Sequence, residues 1–264
     1  MHLSTSTPNQ LPNVFCRTTL PNSSPLAAML RQRLLQSVFR VYYPYARLLN
    51  RLMPNRTIGS YRLLIAPSVY KPLENEHRYG DFVKVGDRVC DLGCGSGIVS
   101  VAAAERASRV LALDISADAV AATRANCQRH QCSNVEVRRS DLFAATEESF
   151  DLICVNPPLV EVPMDQDNQQ WATSGSMLPR LFRDARAHLA PGGRIVALYP
   201  KRKGERLVRL ARLAGLSLVH CESVGRKSMT TRLLKFAYLQ LFSNAHFYVF
   251  RPNNELTKLP PDRD

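Results

Sequence analysis

Four short stretches combine residue types that could do chemistry. Asp91 stands two residues before Gly93, and Gly93, Gly95 and Gly97 alternate with single residues in "VCDLGCGSGIVS". Asp114 follows the apolar run "RVLAL", and Asp141 follows "VEVRRS". Asn156 ends the apolar run Phe150 to Val155 and is followed by Pro157, Pro158 and Leu159. The three glycines permit a tight turn and close approach of a ligand to the backbone. Their spacing is not the G-x-G-x-x-G of a dinucleotide site, and no G-x-x-x-x-G-K-[ST] phosphate loop occurs. A carboxylate just ahead of the loop would repel a pyrophosphate and favour a cationic group such as an ammonium, directly or through a water. Asp114 could accept hydrogen bonds from two ribose hydroxyls, or serve as a helix cap, although Ser116 already offers that. Asp141 could bind an exocyclic amine, with Leu142 against the ring, or be a simple turn aspartate.

Pro157 biases Asn156 towards an extended backbone and fixes its own φ. An amide oxygen and a carbonyl held so rigidly suit an NH2 group whose lone pair must be aimed. The bland alternative is a strand terminator with a satisfied asparagine. No catalytic His or Cys is needed for such chemistry, because positioning and preorganised dipoles can supply much of it.

These residues must be held by the elements around them. From Asp87 onwards, short β-rich runs alternate with helical ones, which predicts a doubly wound, mostly parallel sheet with helices on both faces. In such a sheet ligands sit at the carboxyl ends of the strands. The glycine loop follows the first strand, and strand order sets the Asn156 strand beside it. Residues 1–25, rich in Ser, Thr, Asn and Pro, read as a flexible leader. Residues 26–68 form a basic helical extension in which Pro44 is expected to kink or split the helix. That extension is a helix packed on the main domain, a substrate-recognition cap or a membrane-surface helix. The main domain runs over 69–252, with a basic apolar insert at about 226–244, and 253–264 is a tail.

Charge is unevenly placed. The chain of 264 residues carries a formal +13. Residues 1–73 hold nine Lys/Arg and no Asp/Glu, and 180–251 hold fifteen basic and three acidic residues. Basic arms of this kind suit a polyanion such as RNA, contact with the ribosome, or an anionic membrane, unless they are only solvated helix faces. The seven cysteines are odd in number and form no CxxC pair, which points to free thiols in a reducing, cytoplasmic setting. No His/Cys set has the spacing of a metal site. The Ser/Thr-rich, acid-free N-terminus leaves organelle targeting as the alternative location. No run is long enough to span a membrane.

Taken together, "DLGCGSG", "LALDIS" and "RSDLF" resemble the glycine loop, ribose acid and adenine site of class I S-adenosylmethionine-dependent methyltransferases. The resemblance covers about residues 69–252 and implies a Rossmann-like, seven-stranded fold. It implies that Asp91, Gly93, Cys94, Gly95, Gly97, Asp114, Ile115, Asp141, Leu142 and Asn156 hold S-adenosyl-L-methionine. "NPPL" is similar to the Asn-Pro-Pro-aromatic motif of amino-methyltransferases, among them release-factor glutamine N5-methyltransferases and enzymes of the methyltransferase small-domain type. It implies that Asn156 and the Pro157 carbonyl hold the acceptor, with Pro158 and Leu159 beside it. "VYKPLENE" is similar to the segment that lies over the cofactor in the release-factor branch, so Tyr70, Pro72 and Glu74 are expected to line the site. Leu159 departs from the family aromatic and offers apolar contact without a π face. Trp171, the one tryptophan, either supplies that ring or is structural. The expected acceptor is a nitrogen of a protein or RNA. A small-molecule amine is the alternative; a non-catalytic scaffold and a nicotinamide dehydrogenase fit the motifs less well.

Overall fold

The computed structural model describes residues 25–160, 162, 164, 177–225, 228–239 and 244–253. Trp171, Cys16, and all but the last residue of the leader and the first residue of the tail lie outside the described residues.

Seven strands form the central sheet. They are β3 (Arg88–Leu92), β4 (Arg109–Asp114), β5 (Val135–Arg139), β6 (Phe150–Val155), β7 (Leu189–Pro200), β8 (Leu216–Ser223) and β9 (Ala245–Pro252). Their order is β5-β4-β3-β6-β7-β9-β8. The pairs from β5 to β7 are parallel, and β9 runs antiparallel to both β7 and β8. The order in which strands are added reverses between β3 and β6, so a crevice opens beyond their carboxyl ends.

The strands are apolar on both faces because helices cover both, as parallel sheets require. Side chains alternate between faces along each strand. Cys90, Leu92, Ile153 and Val155 pack with Leu181 and Phe182 of helix α4 (Met177–Ala187) and Leu207 of α5 (Gly204–Leu213). Val89, Leu152 and Cys154 pack on the other face with Ile98 and Val99 of α2 (Ile98–Ala104) and with Tyr79. Helix α3 (Ala117–Arg129) starts where Ser116 accepts a hydrogen bond from the Ala119 amide, as an N-cap side chain does.

The basic extension differs from its expected form. Helix α1 runs unbroken over Pro25–Leu52 with Pro44 inside it, so the split into two helices does not occur. Pro44 lies on the exposed side, where water can take the place of the missing donor. A hairpin follows, β1 (Asn55–Ile58) with β2 (Tyr61–Leu64). Gly59 turns it at φ +57, a conformation glycine adopts without steric cost. Within the insert lies α6 (Met229–Ala237), which packs against α1 through Tyr238, Leu234, Ala46 and Leu49.

Candidate active site

One cavity of about 340 Å³ lies at the carboxyl ends of β5, β4, β3 and β6. Its size suits a small ligand. Going across the sheet, its wall presents Asp141 and Leu142 after β5, Asp114 and Ile115 at β4, Gly93 to Gly95 after β3, and Asn156 to Leu159 after β6. Residues distant in sequence thus meet along one edge.

The glycine loop is open on the cavity side. Among the described residues, and apart from its chain neighbours, a Cβ on Gly93 (φ +77) would meet no atom within 4 Å, and one on Gly95 (φ +54) only the Gly93 carbonyl at 3.9 Å. Side chains there would therefore fill ligand space. The Gly95 amide donates to Asp114 Oδ2 at 3.0 Å and the Ser116 amide to Oδ1 at 2.9 Å. These bonds aim the carboxylate and couple it to the loop. Each oxygen retains a further lone pair, enough for two vicinal hydroxyls. Burial lifts Asp114 above the ordinary carboxylate range, against the pull of the backbone amides.

Gly97 is not in the cavity wall. It caps α2 at φ +80, and a Cβ there would stand 3.0 Å from the Thr123 Cα. Its work is close packing of α2 on α3. Asp91 is likewise absent from the wall. It shares the sheet face of Val89 and points at α2, where it accepts a 2.5 Å hydrogen bond from Ser100. Burial pushes its carboxyl up to about 7. The expectation that Asp91 touches the ligand directly is thus replaced by support from behind the loop.

Glu74 is the third correction. It pairs with Lys235 of α6, both side chains buried, and does not line the cavity. Glu76 does, together with Tyr70 and Pro72. One Glu76 oxygen accepts from the Leu73 amide and from the Tyr70 hydroxyl, each at 3.1 Å. The other, Oε2, has no hydrogen-bond partner among the described residues although Glu76 is only 1% exposed. Desolvation first, and the neighbouring Glu74 charge second, raise its carboxyl to about 7. A buried acceptor without a partner is costly, and in a cavity wall it is an invitation to a cation or donor. The sequence carried a signal for it, the second acid of "ENE", but the resemblance drew attention to the first.

Asp141 lines the cavity and is paired at 3.1 Å with Arg180 of α4, itself part of the wall. Leu142 is buried and held at φ +49. A leucine in the left-handed region is uncommon and costs of order 1 kcal/mol, so its placement against the cavity is enforced by its surroundings. Asn156 lies half-buried in the wall, followed by buried Pro157. The carbonyl before it, Val155 O, accepts from the Tyr79 hydroxyl at 2.6 Å. Tyr79 is fully buried, edge-on to Phe247 at 5.0 Å. Lys203 donates to the Leu159 carbonyl at 2.5 Å. Strand end, tyrosine and lysine therefore fix the motif on both sides, a support that sequence spacing did not reveal.

The segment over the cavity is clamped from outside. Asn50 of α1 donates to the carbonyls of Ala66, Pro67 and Val69. Arg56 of β1 donates to the Pro72 carbonyl at 2.9 Å and to Thr231 of α6 at 3.0 Å. Lys71 reaches the Met53 carbonyl and lies over the Tyr238 ring. The N-terminal extension and the insert thus jointly hold Ser68 to Pro72 against the ligand space.

The family model described as "Methyltransferase small domain" matches residues 81–221. The ribosomal RNA small subunit methyltransferase C of Chromohalobacter salexigens is 40% identical over 42% of this chain and 31% of its own length. The tRNA1(Val) (adenine(37)-N6)-methyltransferase of Parabacteroides distasonis is 32% identical over 49% of this chain and 59% of its own. The release factor glutamine methyltransferase of Cereibacter sphaeroides is 35% identical over 50% of this chain and 53% of its own. The chain thus spans between about a third and three fifths of these curated relatives. Among solved structures, the ribosomal protein L11 methylase of Lactobacillus delbrueckii subsp. bulgaricus shares the fold at a TM-score of 0.52 and 17% identity, covering 71% of this chain and 83% of that one. A methyltransferase from Pyrococcus furiosus does so at 0.52 and 17%, covering 81% and 98%.

Proposed function

Because the chain belongs to the methyltransferase small-domain family, we propose that it is an enzyme transferring the methyl group of S-adenosylmethionine to a nitrogen of a protein or RNA acceptor. The observation that carries this reading is the shared cavity wall. Asp141, Asp114, the glycine loop and Asn156 follow one another along the ends of four adjacent strands. This order matches a nucleoside with an amino-acid tail, base first, then ribose, then tail and reacting centre. The bonds from Gly95 and Ser116 leave Asp114 aimed as a ribose acceptor, and the space over Gly93 fits a ligand pressed on the backbone. Glu76, in the same cavity wall, suits the cationic amine of the tail, with Asp91 contributing negative charge from behind.

When bound, S-adenosylmethionine supplies an electrophilic methyl on a sulfonium. The chain's part is to hold the acceptor. The Asn156 amide oxygen and the Pro157 carbonyl accept its two N–H groups, so the nitrogen lone pair faces the methyl carbon. With the cofactor bound, the nitrogen would take up the methyl as the sulfur–carbon bond breaks, leaving S-adenosylhomocysteine, and the methylated nitrogen would then release a proton to water. Preorganised acceptors and in-line placement carry the acceleration. Tyr79 and Lys203 keep the two ends of the motif from moving.

In this reading residues 69–252 form the catalytic domain, and 26–68 with 226–244 form its acceptor side. The relatives' names include an adenine N6 and a glutamine as acceptors, and the basic flanks suit RNA or the ribosome. Leu159, lying in the wall without an aromatic face, favours an amide or small amine over a stacked base. Free thiols suit a reducing, cytoplasmic setting. The test is Asn156→Ala: calorimetry should show S-adenosylhomocysteine binding retained while turnover of radiolabelled cofactor falls at least a hundredfold, the scale of losing one preorganised acceptor. Equal turnover in the variant sinks the mechanism.

A further inference from the structure

Helix α1 carries an apolar face that the domain does not use. At about 100° per residue, Leu30, Leu34, Val41, Tyr45, Leu48 and Leu52 fall within an arc of roughly 60°. All six are exposed, Leu34 at 65%, Val41 at 74% and Leu52 at 69%. The side that packs on the domain, with Tyr43, Ala46 and Asn50 buried, is roughly opposite. Arg33, Arg40 and Arg51, all exposed, share the arc beside the stripe. On the other border, Tyr45 reaches over to donate to the Ala237 carbonyl of α6 at 2.7 Å. That helix adds exposed Met229, Leu233 and Phe236 on one face. No Asp or Glu occurs in residues 1–73 or 226–244. Among the described residues no helix is long and apolar enough to cross a membrane.

We propose that α1, with α6 beside it, is an interfacial docking surface that seats this protein on an anionic lipid bilayer. A long helix that is apolar along one face, arginine-rich beside it and too polar overall to span lies in the interface plane. Its hydrocarbon enters the headgroup–acyl boundary. Here the stripe would enter that boundary while the arginines meet lipid phosphates. RNA would satisfy the arginines but leave the apolar stripe in water. A second copy of α1 would cover the stripe but bring only more arginines, with no carboxylate in the extension to answer them. Anionic lipid satisfies both. Asn50 ties the docked helix to the segment over the cavity, so docking would set the cavity at a fixed place relative to the bilayer. This inference does not depend on the methyl-transfer reading.

The experiment is co-sedimentation of the full chain with large vesicles of phosphatidylglycerol and phosphatidylcholine, or of phosphatidylcholine alone. Wild type should partition into the anionic vesicles at least tenfold more strongly than into the neutral ones. Leu34→Glu/Val41→Glu/Leu48→Glu should lose that binding at least tenfold. Arg33→Gln/Arg40→Gln/Arg51→Gln should fall several-fold and lose the preference for anionic lipid. Val85→Glu, at a still more exposed position (84%) but in the loop that enters β3, should bind as wild type. Circular dichroism melts check that each variant folds, and the arginine set serves if the glutamate set does not. Absence of vesicle binding by wild type overturns the proposal, as does binding that neither set weakens. So does a wild type that is dimeric by sedimentation velocity, becomes monomeric in the glutamate variant and ignores vesicles. Retention by RNA but not by vesicles overturns it in favour of a nucleic-acid surface.

Discussion

Replacing Glu76 by Gln separates the cost of a buried carboxylate from its use. Glu76 has an ordinary value of 4.5 and is pushed up to about 7 in the folded chain by burial and by Glu74. The folded state therefore holds this proton between about pH 4.5 and 7 while the unfolded chain releases it. Stability is thus lost as pH rises through that window. At about 1.4 kcal/mol per pH unit the whole loss is at most roughly 3.5 kcal/mol. A glutamine keeps an oxygen for the Leu73 amide and the Tyr70 hydroxyl but has nothing to ionise. Urea unfolding of wild type and Glu76→Gln at pH 5 and pH 8 should show the variant's advantage growing by roughly 2 kcal/mol towards pH 8. Asp91 titrates in the same range, so the difference between the two proteins, not the wild-type curve, isolates Glu76. The ligand should reverse the preference. A cationic tail stabilises the carboxylate, so wild-type affinity for S-adenosylhomocysteine should rise between pH 6 and 8, with proton release on binding at pH 7. Glu76→Gln should bind it more weakly and with a flatter profile, yet bind 5′-methylthioadenosine, which lacks the tail, as wild type does. A stability difference independent of pH would refute the burial argument, and equal S-adenosylhomocysteine affinity would refute the tail assignment.

Three further outcomes are expected. Asp114→Ala removes a charged acceptor worth about 1.5–3 kcal/mol per hydrogen bond, so calorimetry should show S-adenosylhomocysteine binding at least tenfold weaker; unchanged affinity refutes the ribose assignment. Leu159→Tyr should shift turnover towards planar acceptors when nucleobase and glutamine substrates are compared, and no shift would mean that this side chain does not meet the acceptor. Arg194→Met strands Asp87, its partner at 2.6 Å with both side chains almost fully buried, and should cost about 3–5 kcal/mol in urea unfolding; a loss under about 1 kcal/mol would show that water reaches the pair.

The sequence by itself determined the parallel sheet, because helical and β periods alternate from Asp87 onwards and buried parallel strands read as continuous apolar runs. It also located the glycine loop, Asp114, Asp141 and Asn156, since strand ends in such a fold converge on one edge whatever the loops between them. It did not separate Glu74 from Glu76. Two residues apart where an irregular segment enters a 3-10 helix at Glu76, they differ in what surrounds them: Lys235 from the insert claims the first, and the cavity receives the second. Nor did it tell that Asp91 and Gly97 serve the loop from behind, because that follows from which sheet face Asp91 occupies and from how closely α2 meets Thr123. Tyr79 on Val155, Lys203 on Leu159, and Arg56 on Pro72 and Thr231 join elements up to 175 residues apart, and no local pattern encodes such pairs. The apolar period of α1 was plain in the chain, but which of its faces the domain covers, and which it leaves exposed, was decided only by tertiary packing.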